Sequence, residues 1–319
     1  MPLPPHQPRH VLIAVNPKAG SGNRGRVIEQ LAEEAASLGF LPQTITQIAE
    51  LTQLSQALLS SGELRCVVAA GGDGTIRLLA DRLPQGTPLA ILPLGTENLL
   101  AKYFEFSSYP SSLCQTLVDG VPIRLDAGIA GERLFTFMVG CGFDAEVVRK
   151  VHSQRTGNIH RLAYLKPIWD SIRTYHYPQM KVTYEPLASS GGNPATAEGC
   201  WVFVVNLPKY AGGLSLAPAA LGNDGLLDVC VLKQGGLWRG LQYLAGIVLG
   251  RQEKMSDCQM FRTKRLRIEA VLPQDIPIQV DGDSAGMLPT SIEIAPQRLT
   301  FLVSPRWAKR NPTAMITGE

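Results

Sequence analysis

The chain contains no Cys-x-x-Cys pair. Its six cysteines (Cys66, Cys114, Cys141, Cys200, Cys230 and Cys258) are scattered, most of them inside apolar runs. That distribution favours reduced core thiols, as in a cytoplasmic protein, over a disulfide framework or zinc site. The histidines, His6, His10, His152, His160 and His176, show no metal-ligand spacing. Long apolar runs are also missing. Met1–His10 is polar and Pro-rich, with no apolar segment of signal-peptide type. The longest apolar stretch, Leu237–Leu249, is broken by Arg239, Gln242 and two glycines, too short to span a bilayer. The sequence thus reads as soluble, or peripheral to a membrane at most. It lacks internal repeats, a low-complexity tail and a dominant charge: 30 Lys and Arg stand against 27 Asp and Glu, a net +3. Mild basicity tolerates an anionic substrate or membrane surface without demanding nucleic acid.

At 319 residues and 45% hydrophobic content, the chain has the length for two domains with ordinary cores. Between His10 and Asp126 the pattern alternates: strands at His10–Asn16 and Leu41–Gln47, helices at Arg26–Leu38 and Leu51–Ser60, then two further apolar strands with their helices. Such alternation predicts a parallel sheet covered on both faces, with ligands at the carboxyl ends of the strands. After about Asp126 short β-rich runs take over, at Leu134–Val139, Met180–Tyr184, Gly199–Asn206, Leu227–Leu232, Arg265–Val271, Ile276–Val280, Ser291–Ile294 and Leu299–Val303. This predicts an antiparallel β-sandwich, interrupted by helices at Leu162–Tyr175 and near 237–249. The fold class is therefore α/β plus β. The expected domains are 1–124, with the tail 305–319 packed back on it, and 125–304.

Two segments concentrate the chemistry. Gly71-Gly72-Asp73-Gly74-Thr75 follows the apolar run Cys66–Ala70, and Pro93-Leu94-Gly95-Thr96-Glu97-Asn98 follows Leu89–Leu92. Each opens a helical stretch, Ile76–Leu83 and Leu99–Phe104. Glycines at a strand end let backbone N–H groups approach an anion, and a helix start adds favourable partial charge. The pair reads as two walls of one nucleotide-phosphate site. The Asp73 carboxylate there implies a metal or a hydroxyl between it and phosphate. A third glycine run holds a G-x-G-x-x-G at Gly20, Gly22 and Gly25. Asn16-Pro17-Lys18-Ala19 separates it from its strand, and the second strand ends in Thr44, Thr46 and Gln47 with no acid for a ribose. Both features argue against a dinucleotide fold. Arg26-Val27 in place of Lys-Ser/Thr argues against a Walker loop, and a plain turn is a rival for this run taken alone.

Taken in order, Asn16-Pro17…Gly20, the Gly71–Thr75 and Pro93–Asn98 motifs, Gly142-Phe143-Asp144-Ala145, Asn206…Gly212-Gly213, Asp224-Gly225-Leu226-Leu227-Asp228-Val229 and Val280-Asp281-Gly282-Asp283 resemble the diacylglycerol kinase superfamily. The resemblance is strongest to its bacterial lipid-kinase branch, related to sphingoid-base and ceramide kinases, and it covers nearly the whole chain. It implies an ATP- and Mg2+-dependent kinase with its active site in the cleft between an α/β domain and a β-sandwich. ATP phosphates would lie against Asn16, Pro17, Lys18, Ala19 and Gly20 and against Gly71, Gly72, Asp73, Gly74 and Thr75, with Thr46 and Thr96 contributing hydroxyls. A structural magnesium would be held by the Asp224 carboxylate and the carbonyls of Leu221 and Leu226. Asp283 would be the general base and Asp73 the second catalytic carboxylate. On residues alone, the 224 and 281–283 segments also read as ordinary turns.

The chain departs from the family pattern at Arg77-Leu78, where Asn-Glu is common, at Asp283, where Glu is usual, at Leu99, where Asp is common, and at Glu97. Asp126 and Glu97 are the available substitutes for the missing carboxylate. The basic stretch Arg149–Arg173, with Lys150, Arg155, Arg161 and Lys166 and with Tyr164, Trp169, Tyr175 and Tyr177 interleaved, reads equally as a solvated helix face or a membrane-facing patch. The expected partner is a lipid substrate at a membrane surface, with no nucleic acid and with a homodimer open. The rivals are a soluble NAD kinase and a catalytically silent nucleotide-binding relative.

Overall fold

A computed structural model describes residues 7–15, 23–153, 165–187, 193–208 and 216–315. The chain divides into two compact units, Met1–Leu125 with Gln297–Glu319, and Asp126–Pro296. The first contains β1 (His10–Val15), α1 (Asn23–Ser37), β2 (Leu41–Ile45), α2 (Ile48–Ser60), β3 (Leu64–Gly71), α3 (Asp73–Arg82), β4 (Pro88–Pro93), α4 (Leu99–Tyr103) and α5 (Pro110–Asp119). Its strands run in the order β2-β1-β3-β4, all parallel, with Ile13 opposite Val68 and Ala69 opposite Ile91. Parallel strands are covered on both faces, which is why Cys66–Ala70 and Leu89–Leu92 are continuous apolar runs and wholly buried. α5 escapes a periodicity reading, yet Pro110 at its first turn suits a helix start.

β5 (Val121–Ala130) carries the chain into the second unit. There follow β6 (Arg133–Phe135), β7 (Met138–Gly142), α6 (Phe143–Ser153), α7 (Leu165–Thr174), β8 (Met180–Tyr184), β9 (Ala195–Gly199), β10 (Trp201–Val205), β11 (Leu227–Leu232), α8 (Leu237–Val248), β12 (Cys258–Thr263), β13 (Arg265–Ala270), β14 (Pro277–Val280), β15 (Asp283–Met287) and β16 (Thr290–Val303), then α9 (Pro305–Arg310). One antiparallel sheet has the order β12-β11-β10-β7-β14-β15; opposite it, the first half of β16 pairs with β13, which pairs with β8 and β9. Val139, Val202, Val204, Val229 and Val231 of the first layer meet Val182, Leu266, Ile268 and Ile292 of the second, and this is the sandwich core.

The expected strands Ser291–Ile294 and Leu299–Val303 prove to be one, β16. Its early residues alternate in burial, as a half-solvated antiparallel strand does, and Leu299–Val303 are all buried, as in a parallel interior. The change of pattern made one strand look like two. β16 ends beside β4, with Thr300 opposite Pro88. α9 then docks through Trp307, whose Nε1 donates to the Tyr103 carbonyl at 2.7 Å, against Tyr103 and Phe104.

Candidate functional site

In the first unit the two glycine motifs lie side by side at the strand ends. Gly71 and Pro93 are opposite one another in the β3–β4 ladder, and Leu94 N–H donates to the Gly71 carbonyl at 3.0 Å. A Cβ on Gly95 would fall 2.5 Å from the Gly72 Cα and 2.6 Å from Asn98 Oδ1, so glycine is the residue that lets the loops touch. The second loop is closed on itself: Asn98, at φ +50°, accepts from Gly95 N–H at 3.0 Å and donates to the Gly95 carbonyl at 2.8 Å.

Asp73, in the first turn of α3, accepts a hydrogen bond from Leu100 N–H at 3.2 Å. Burial lifts its pKa, opposed by the N–H groups of Leu99 and Leu100 and by the Lys102 charge. The start of α4, expected to face phosphate, is thus already occupied by an anion of the protein itself. What remains open is a cavity of about 250 Å³ lined by Ala14, Val15, Thr46, Gly74, Thr75 and Leu78, among others. Three of the predicted phosphate-binding residues, Thr46, Gly74 and Thr75, therefore line one cavity, and Gly71, Gly72 and Asp73, which precede Gly74 in the chain, are not part of its lining. Thr96 is exposed on the neighbouring loop. Asn16, Pro17, Lys18, Ala19 and Gly20 lie outside the described residues. Leu78, at the family's usual Glu position, is 44% exposed and lines this cavity, making that wall apolar.

In the second unit Asp281-Gly282 forms the turn between β14 and β15, with φ values of +49° and +86°. Two consecutive positive φ values are the geometry of a tight hairpin, which Asp-Gly favours. The segment is thus a hairpin turn, but not one with solvated acids: the Asp281 carboxylate is buried and strongly anchored, and Asp283 already belongs to β15. The Asp281 carboxylate accepts from Thr136 N–H (2.7 Å) and Oγ1 (3.1 Å), and from the N–H groups of Phe137 and Met138 (2.9 Å each). Burial raises its pKa against the pull of these donors. Gly282 N–H donates to Gln279 Oε1 at 2.7 Å, and Gln279 Nε2 donates to Asp144 Oδ2 at 2.7 Å. Asp144 is lifted to about 6 by burial, with Gln279 opposing. Asp283, half-buried, opens β15 opposite Val280.

The Asp224 loop joins this hairpin through Asn206. Asn206 Nδ2 donates to the carbonyls of Asp126 (3.0 Å) and Thr136 (2.8 Å). Asp126 in turn donates from its N–H to the Gly222 carbonyl and accepts at Oδ2 from Gly225 N–H, both at 2.7 Å. Asp224 accepts from Leu226 N–H at 3.1 Å and pairs with Arg262. Burial raises the Asp224 pKa, opposed chiefly by Arg262, and burial lifts Asp228 to about 6 despite the same guanidinium.

Asp224, Leu221 and Leu226 offer oxygen donors only, and Asn206 Oδ1 is a buried acceptor without a hydrogen-bond partner among the described residues. This donor chemistry fits a hard divalent cation, with Arg262 supplying the countercharge in the structure. Among the described residues no cluster of three or more His, Cys, Asp or Glu side chains could hold a metal, so such a site would rest on carbonyls. Asp144 and Gln279 were not assigned roles from sequence: a Gln one residue before the Val-Asp-Gly-Asp run carries no pattern of its own.

In the basic stretch, Arg149 and Lys150 both pair with Glu146, and Arg173 lies 5.9 Å over the Trp169 ring. Arg155, Arg161 and Tyr164 lie outside the described residues. Among the described residues, no helix is long and apolar enough to cross a membrane.

Residues 10–130 match the family described as the diacylglycerol kinase catalytic domain, and residues 137–303 the YegS C-terminal NAD kinase beta sandwich-like domain. The chain belongs to the diacylglycerol kinase superfamily, with a YegS-type second half. It is 25% identical to a diacylglycerol kinase of Bacillus subtilis (strain 168) over 87% of this chain and 90% of that one. It is 30% identical to a "probable lipid kinase YegS-like" of Pseudomonas savastanoi pv. phaseolicola over 69% of each chain. The fold matches a solved diacylglycerol kinase structure from Bacillus anthracis str. Sterne with a TM-score of 0.64 at 20% identity, covering 94% of this chain and 98% of that one.

Proposed function

We propose that the protein transfers the γ-phosphate of ATP to the hydroxyl of a membrane lipid, diacylglycerol or a sphingoid or ceramide-like acceptor, in a Mg2+-dependent reaction at the cytoplasmic membrane surface. The observation that carries this reading is the interlocking of the two glycine loops, Gly72 against Gly95 and Asp73 onto Leu100, next to a cavity walled by Thr46, Gly74 and Thr75. Glycine backbone and threonine hydroxyls bind oxyanions without steric cost. Asn16–Gly20, Gly71–Thr75, Thr46 and Thr96 would hold the phosphates, and domain 1–124 with 305–319 would be the nucleotide half.

Phosphoryl transfer is largely positioning and charge neutralisation, with one carboxylate taking the acceptor proton. Asp283 takes that role: as the lipid oxygen bonds to the γ-phosphorus, its proton passes to Asp283 and ADP leaves. The anchoring of the hairpin by Asp281 and Gln279 supports this, because a base must be held in place to be useful. Magnesium, when bound, neutralises phosphate charge; Asp224 with the Leu221 and Leu226 carbonyls would hold a structural ion.

The test is a panel of lipids and soluble alcohols offered with radiolabelled ATP and Mg2+. Label in a lipid supports the reading. Label in NAD with none in any lipid favours the soluble kinase, and no transfer to any acceptor, with ATP still bound, favours a silent relative.

A further inference from the structure

α8 is fixed to the second unit along one side only. Gly240 packs where a Cβ would meet Ile172 at 2.9 Å, Gly246 where one would meet Met255 at 2.3 Å, and Tyr243 Oη donates to Asp257 at 2.5 Å. The opposite side is apolar and exposed. Trp238 is 77% exposed, Val248 68% and Leu249 65%, with Leu237 also exposed. A helix on a protein surface ordinarily turns charged and polar residues outward. On α8 only Arg239 and Gln242 are polar. The flanks are basic: Lys233 precedes the helix and Arg251 and Lys254 follow it, with Glu253 between them, all exposed, while Arg239 on the helix itself pairs with Asp257 at 3.8 Å.

We propose that α8 is an in-plane membrane anchor, its apolar face entering the boundary between headgroups and acyl chains of a bilayer containing anionic lipid. Three observations select this occupant. An apolar helix bracketed by cations matches the layered chemistry of such a bilayer, where apolar side chains meet acyl chains and cations meet headgroup phosphates. Trp238 is an amphipathic ring of the kind that settles at the membrane interface. The area is also wrong for a stable dimer: twelve residues make a strip about 18 Å long. At about one helix width, the strip offers on the order of 200 Å², well under the roughly 800 Å² per partner of a standard interface. α8 packs on Ile172 of the basic 149–173 stretch, in which Arg149 and Lys150 pair with Glu146 and Arg173 lies over the Trp169 ring. The inference deepens the lipid-kinase reading and rests on it for the relevance of a bilayer.

The experiment is co-sedimentation of the full chain with phosphatidylglycerol–phosphatidylcholine vesicles and with phosphatidylcholine vesicles alone. The wild type is expected to bind the anionic vesicles more tightly, and brominated acyl chains should quench part of its tryptophan fluorescence. Val248→Ser/Leu249→Ser, which keeps Trp238 as a probe, should lose at least ~10-fold in vesicle affinity with an unchanged melting temperature. Arg251→Gln/Lys254→Gln should abolish the preference for anionic vesicles. Unchanged sedimentation of the serine variant overturns the proposal, as does failure of the wild type to bind either vesicle. A wild-type dimer by light scattering that the serine variant converts to monomer overturns it in favour of self-association. Because binding is read without turnover, the two readings fail separately. Lost binding in the variant with no lipid phosphorylated by either protein leaves the anchor and removes the kinase. Lipid phosphorylation with binding unaffected does the reverse.

Discussion

Asp144 is a buried carboxylate of the second unit, lifted to about 6, that holds Gln279, which in turn holds the Gly282 turn. An unfolded Asp titrates near 3.9. The folded chain therefore binds this proton more tightly between about pH 4 and 6. The stability from this group is full below pH 4 and is lost as pH rises through 6; ionisation above that costs on the order of 2 to 3 kcal/mol. Asp144→Asn should raise the melting temperature at pH 7.5 and bring a clearly smaller gain at pH 5; an equal gain at both would show that the charge is irrelevant. Asp283→Asn should abolish transfer while nucleotide binding persists, since the proposed nucleotide-binding residues lie on the first unit. Asp283→Glu should retain measurable turnover, because a general base needs reach and pKa more than identity. Undiminished turnover in Asp283→Asn would remove Asp283 from the chemistry. Asp73→Asn should cost at least ~100-fold in turnover, the scale of one positioned electrostatic element.

Loops and helices behave as matched pairs. Gly95→Ala forces a Cβ to 2.5 Å from Gly72 and should destabilise the first unit by about 1–3 kcal/mol, the usual cost of overpacking, measured by urea unfolding. A neutral result would mean that the β3 and β4 loops are free to separate. In the second unit, Asp224→Ala should remove most of any rise in melting temperature caused by magnesium, since a bound ion stabilises only the state that supplies its ligands. Equal magnesium dependence in both proteins would reduce this loop to a turn. The close approach of the glycine loops was legible in the sequence, because strand, glycine cluster and helix recur in fixed order. The attachment of Asp73 to the start of α4 was not: nothing local to Asp73 specifies a partner 27 residues ahead. α8 was visible as an apolar helix near 237–249, but which of its sides lies against the unit depends on Ile172, remote in sequence, and on the way the chain folds back to bring Met255 onto Gly246.

For the molecule as a whole, hydrophobic period and glycine placement announced the α/β half and the sandwich, and long-range pairing was hidden. β16 serves both units and changes its burial pattern midway, and β12, mostly half-buried, shows no alternation to reveal it. The site was legible as a set of motifs and illegible as a network, because the side chains of Asn206, Gln279 and Thr136 reach partners remote in sequence or backbone groups that any sequence supplies. The same division predicts where ligands leave their mark. If Gly71–Thr75, Thr46 and Thr96 hold ATP, non-hydrolysable ATP should slow amide exchange at 44–51, 71–80 and 93–103. Those segments contain the ends of β2, β3 and β4 and the starts of α2, α3 and α4. Binding suppresses local opening in proportion to occupancy, and loops at a site are the least protected parts of a fold. Protection should therefore be large in these loops and small in the already stable interior of β3. Asp73→Asn, which keeps the shape of the carboxylate and loses its charge, should retain the pattern while turnover falls. Protection confined to other segments would refute the nucleotide site, and loss of protection together with turnover would make Asp73 a binding residue and not a catalytic one.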